Sequence, residues 1–164
     1  MTIILCLSTI RTTIQVSRFH DPSKWQSPSF RKLKPAEKLL IFYINDVCNN
    51  AGFLEFDPED CVFRTKMNEA QVNQAYNGIK HLIDENKGWI YIKGFLKEQR
   101  NLPLKSNNNS HLQIIRLIVD MKDMFPHVYQ ELVQKPGIEK DIKTKTPPRR
   151  NYKDREEKNK GMMI

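Results

Sequence analysis

Asn73, Gln74 and Asn77 set three carboxamides close together on one predicted helix, and a carboxamide can offer a donor and an acceptor at once to the edge of a base. At about 100° per residue, Ala70, Gln74, Asn77 and His81 share one side of that helix, flanked by Asn73, Lys80 and Asp84. Arg64, Thr65, Lys66 and Lys80 stand around the preceding turn and the helix end, where they can hold phosphates without reading sequence. His81 adds a charge when protonated, or is a surface bystander. Lys93, followed by Lys97, Arg100 and Lys105, either extends a phosphate-binding surface or keeps a sheet edge soluble. The plain alternative is an amide-rich helix face that is only solvated.

Other chemistries find less support. Asp57, Glu59 and Asp60 form a carboxylate cluster, but they fall at a predicted helix start, where capping and the helix dipole account for them. Cys6, Cys48 and Cys61 form no CxxC pair, and His20, His81, His111 and His127 lie far from them, so a zinc site is not expected. There is no Gly-rich phosphate loop and no nucleophile with an identifiable base partner. The expectation is a binding protein without catalytic residues, metal or cofactor.

The elements that must position these residues are well punctuated. Residues 21–34, with Pro22 and Pro28 among serines, read as an irregular lead-in. A first helix opens at Pro35 and carries Leu39, Leu40, Phe42, Tyr43, Ile44, Val47 and Cys48, and Gly52 in "NNAG" stops it. "FLEF" (Phe53 to Phe56) is a strand, and Asp57-Pro58 caps a short second helix over "PEDCVFR". Asn68 and Gln71 form a capping box for a third helix from Glu69 to Asp84, with a stripe of Val72, Ala75, Tyr76, Ile79, Leu82 and Ile83. "WIYIKGF" follows as a strand pairing with Phe53 to Phe56, with a bulge or bend at Gly94. Its aromatics among cations, in "DENKGWIYIKGFLKEQRN", read as packing rather than a base-stacking platform. After a loop, Ser110 or Asn109 caps a last helix, which Pro126 breaks before "HVYQELV".

The 164 residues suit one modest domain and a tail, and 27 Lys/Arg against 19 Asp/Glu give a net charge of +8, which favours a polyanionic partner. Nine basic and five acidic residues between Glu139 and Lys160 put half of that excess in a segment too polar to repay ordering, expected to be disordered. "MTIILCLSTI" reads as an N-terminal strand, being too short to span a bilayer, and cysteine usage suits a reducing cytoplasm. The expected division is 1–34 as strand and lead-in, 35–102 as core, 103–137 as loop and C-terminal helical segment, and 138–164 as basic tail. The C-terminal helical segment closes the domain or mediates self-association.

The order helix, strand, short helix, tight turn, longer helix, strand is that of a winged helix-turn-helix domain. The expected fold is α+β, mainly helical, with a small antiparallel sheet and a shortened wing. "KLKPAEKLLIFYINDVCNNAGFLEFD", "GWIYIKGFLKEQRN" and "NNNSHLQIIRLI" together resemble the N-terminal domain of phage and prophage replication proteins, the replisome-organiser or DnaD-like group, over roughly residues 25–120. The resemblance implies a bacterial-host protein that binds origin or single-stranded DNA, self-assembles and recruits a helicase or helicase loader. Two departures bear on it: only "ENKG" separates the third helix from Trp89, and the C-terminal part shows no second domain of the helicase-loading kind. The competing readings are a winged-helix transcriptional regulator and a protein-interaction module working through the C-terminal helices.

Overall fold

The computed structural model describes residues 18–105 and 107–134, together with Ile138. The expected N-terminal strand and, Ile138 apart, the expected tail lie outside the described residues. The chain divides into two compact units at Leu102/Pro103. The described residues are mainly helical, with a three-stranded antiparallel sheet among them.

The first unit begins with more order than its serines and prolines suggest. Asp21 accepts from the Ser23 N–H (2.9 Å) and caps a 3-10 helix, Pro22–Gln26, with proline at its start. Bonds from the Ser23 hydroxyl and N–H hold the Asp21 carboxyl below its usual range. A single helical turn, α1 (Pro28–Arg31), follows and buries Phe30. The lead-in is thus two short helical pieces, because each proline falls where a first turn tolerates it.

The first expected helix is α2 (Pro35–Val47), which buries Leu40, Ile41 and Ile44 along one stripe. Its end is closed by the Asn49 side chain, which accepts from the N–H groups of Ala51 (2.9 Å) and Phe53 (3.1 Å). Gly52 then turns at φ +88°, where an added Cβ would lie 2.8 Å from Cγ of Phe95. Strand β1 (Phe53–Glu55) leads to α3 (Pro58–Thr65), capped by Asp57, and α4 (Glu69–Ile79), whose Asn68–Gln71 capping box closes at 2.8 and 2.9 Å.

The third helix ends five residues sooner than its apolar stripe predicts. Residues 80–82 form a 3-10 turn, and Ile83–Asn86 become β2, paired with β3 (Trp89–Ile92). Lys87 and Gly88 join them with φ of +49° and +79°, the two-residue turn whose twist matches a hairpin. Ile83 remains buried, but as a strand residue. The first wing strand, expected to be contracted because so little chain separates the third helix from Trp89, is instead a full partner of β3: the helix ends early and gives up residues 83–86 to it, and only the turn is short. The tip does not project far, since the Gly88 carbonyl accepts from the N–H of Phe56 at 3.0 Å.

The strand order β1-β3-β2 puts β3 in the centre, with Phe53 opposite Tyr91 and Ile83 opposite Ile92. Ile90, Tyr91 and Ile92 are all buried, so both faces of this strand are covered, and Tyr91 packs 5.1 Å from Phe53. The strand stops at Ile92. Gly94, at φ +73°, turns the chain into the short α5 (Phe95–Glu98), which buries Phe95 and Leu96.

In the second unit Asn108, rather than Asn109 or Ser110, caps α6 (Asn109–Asp120), accepting from Ser110 N–H at 2.9 Å and His111 N–H at 3.3 Å. Pro126 opens α7 (Pro126–Leu132) after a turn. No helix among the described residues is long and apolar enough to cross a membrane.

Candidate nucleic-acid interface

The outer face of α4 is set by what its inner face buries. Val72, Ala75 and Ile79 are almost wholly enclosed, which turns Ala70, Asn73, Gln74 and Asn77 to solvent. Gly78 lets α4 cross α2 closely: an added Cβ would stand 2.3 Å from Oε1 of the buried Glu37. That Glu37 is itself held, because its Oε2 accepts from the Lys34 N–H at 2.8 Å. The amide face is therefore mounted on a fixed crossing.

The turn between α3 and α4 is as closely specified. The Thr65 hydroxyl donates to the Cys61 carbonyl (2.7 Å) and accepts from the Met67 N–H (3.3 Å). Lys66 takes the left-handed conformation at φ +59°, and Met67 is buried. With its one proton committed to Cys61, Thr65 shapes the turn and has none to give a phosphate while that bond stands.

The predicted cations divide. Arg64 Nε bonds both Asp60 oxygens (2.9 and 2.8 Å), and this contact raises the guanidinium's already high pKa. Asp60 also accepts from the Tyr43 hydroxyl at 2.7 Å; burial first, and Asp60 second, push that phenol's pKa up. Lys93 pairs with Asp84 at 3.0 Å. Lys66 is spent on no carboxylate among the described residues. Its ammonium lies 4.5 Å from the ring centre of Phe63, an aromatic 70% exposed. Lys80 lies 6.0 Å from the Tyr76 ring, which stacks on Phe56 at 4.8 Å. His81 is exposed beside it.

The amides and most of the cations thus belong to one arrangement. Lys66 and Arg64 stand at the N-terminal end of α4, and Lys80 and His81 at its C-terminal end. The eleven residues of α4 itself span about 16 Å at 1.5 Å per residue. Lys93 joins the C-terminal group, because its N–H donates to the Leu82 carbonyl at 3.0 Å. Spacing alone singles out neither Phe63 nor Lys87. Lys87 is exposed at the hairpin tip, and the signal for it was the adjacent Gly88.

Burial pushes the Cys48 thiol up to about 12 and raises that of Cys61. No group of three or more His, Cys, Asp or Glu residues able to hold a metal occurs among the described residues. No family model matches the chain, and no curated protein or solved structure matches it significantly.

Proposed function

We propose that this chain is a DNA-binding protein of phage- or prophage-type replication initiation, built on a winged helix-turn-helix and not an enzyme. The observation that carries the reading is the α3, tight turn, α4, hairpin order, with an outer α4 face of Asn73, Gln74 and Asn77 bracketed by cations at both ends. A helix of that kind fits the major groove, about 12 Å wide, with its ends near the phosphates on either side. The amides then read adenine edges, Lys66 and Lys80 hold phosphates, and Arg64 joins them by leaving Asp60 for a phosphate. The β2–β3 hairpin is the wing, and with Lys87 at its tip it reaches only the nearest backbone.

The experiment is duplex binding against salt. Each phosphate contact contributes roughly 0.9 to the log–log slope, so replacing Arg64, Lys66 and Lys80 together by Gln should lower the slope by about 2 to 3. An unchanged slope in that variant would remove the placement of the site. Footprints inside a replication origin support the replication role, whereas an isolated promoter operator replaces it with transcriptional control.

A further inference from the structure

Among the described residues of the first unit, a larger positive excess than that of the α4 region lies in the lead-in. Residues 58–81 hold Arg64, Lys66 and Lys80 against Glu59, Asp60 and Glu69, a formal balance of zero. Residues 22–38 hold Lys24, Arg31, Lys32, Lys34 and Lys38 against Glu37 alone, a net +4, and Glu37 is buried. Arg31, Lys32, Lys34 and Lys38 form no ion pair among the described residues, and the first three are exposed. Lys24 is committed to Glu98 at 2.9 Å.

The same segment carries a large exposed aromatic, Trp25, 55% accessible. It is braced rather than loose: Phe30 meets it edge-on at 5.1 Å, Phe42 lies 6.0 Å away at 35°, and the Lys38 ammonium stands 5.6 Å from its ring. Beside it a cavity of about 210 Å³ is bounded by Phe19, His20, Trp25 and Phe42, with Asp21 and the Lys24–Glu98 pair also on its wall. Its rim is fastened by the Gln99 carboxamide, which accepts from the Phe19 N–H (3.0 Å) and donates to its carbonyl (2.9 Å), while the Arg100 guanidinium lies 4.1 Å over the Phe19 ring. An exposed indole held at a fixed tilt, with the Lys38 ammonium near its ring and the exposed Arg31, Lys32 and Lys34 in the same segment, suits a flat ring joined to phosphates. Apolar packing explains Phe30 and Phe42, but it does not explain an indole left more than half in water in a segment with three exposed cations that form no ion pair among the described residues.

We propose that Trp25 is a stacking site for an unpaired base of single-stranded nucleic acid, with Lys38, Arg31 and Lys32 holding the strand's phosphates, separate from the α4 face. Stacking on an aromatic is tolerant of base identity, and the cations make the binding salt-dependent.

Tryptophan fluorescence tests it. In a Trp89→Phe chain Trp25 is the sole indole. Adding an oligothymidylate of about 15 nucleotides at low salt should quench it, and a duplex of equal length should quench it less. Trp25→Ala should weaken single-strand binding by roughly 5- to 150-fold, the loss of one stacked base. Arg31→Gln with Lys32→Gln, both at exposed positions, should weaken binding and lower its salt slope with the melting temperature unchanged. Absence of quenching, equal quenching by duplex, or wild-type affinity in both variants overturns the proposal. Alanine at Asn73, Gln74 and Asn77 should leave single-strand affinity intact; an equal loss there would mean one shared site and would overturn the separation. Loss of duplex binding alone in that variant leaves the Trp25 site standing, so the two readings fail separately.

Discussion

At the scale of single residues, the left-handed positions are the most telling. Lys66 and Lys87 adopt positive φ, a conformation that costs an ordinary side chain about 1–2 kcal/mol. Lys66 is rewarded by the turn it makes and by its ring contact, whereas Lys87 stands exposed in a turn that favours Asn-Gly. Lys87→Asn should therefore stabilise the fold by about 0.5–1 kcal/mol, read as a higher denaturant midpoint at constant slope. A lower midpoint would mean that the lysine makes a contact worth more than its strain. The amide face of Asn73, Gln74 and Asn77 was legible from spacing because burial on the other side is periodic. The engagement of Arg64 by Asp60 was not fully legible. An i, i+4 pair can be read from the sequence, but Tyr43 arrives from α2, and only the folded chain brings it there.

At the scale of elements, helix starts were written plainly and helix ends were not. Asp57 and Asn68 cap where expected because a cap is a local bond between a side chain and N–H groups two or three residues on. The end of α4 depends instead on a competition between continuing the helix and pairing Ile83–Asn86 with β3. Partners distant in sequence decide that, and Leu82 and Ile83 fit either outcome. The lead-in misled for a related reason: serines and prolines mark loops, but proline at a first turn also starts helices. The α2–α4 crossing is equally non-local. Gly78→Ala would gain about 1 kcal/mol of helix propensity but would force the buried Glu37 from its bond to Lys34. We expect a net loss of about 1–2 kcal/mol by chemical denaturation, and no further loss when Gly78→Ala is made in a Glu37→Ala background, where the bond is already gone and the clash with it. A stabilised single variant would show that the crossing can relax.

At the scale of the whole molecule, buried acids set the alkaline limit. Cys48 ionises near 12 in the folded chain, against about 8.5 for a free thiol, and Cys61, Tyr43 and Tyr76 are shifted the same way. Above pH 9 the unfolded chain therefore loses protons that the folded one keeps. Stability should be at full strength below pH 8 and fall steadily toward pH 12, measured as melting temperature against pH. A flat profile over that range would mean that the thiols are not enclosed as described. Composition pointed to a polyanionic partner, but the total of +8 could not say where such a partner would sit. The charge is unevenly placed: residues 58–81 are formally neutral, whereas residues 22–38 carry a net +4, so under the proposed reading the α4 face would select and the lead-in would hold charge.

The central claim concerns the outer face of α4, and an amide titration reads it directly. On adding duplex DNA at low salt to ¹⁵N-labelled protein, the side-chain NH₂ signals of Asn73, Gln74 and Asn77 should shift, with the backbone signals of Lys66 and Lys80. The buried face at Val72 and Ala75 should move less. Stationary side-chain amides on α4, whether the duplex shifts signals elsewhere or nowhere, would contradict the account.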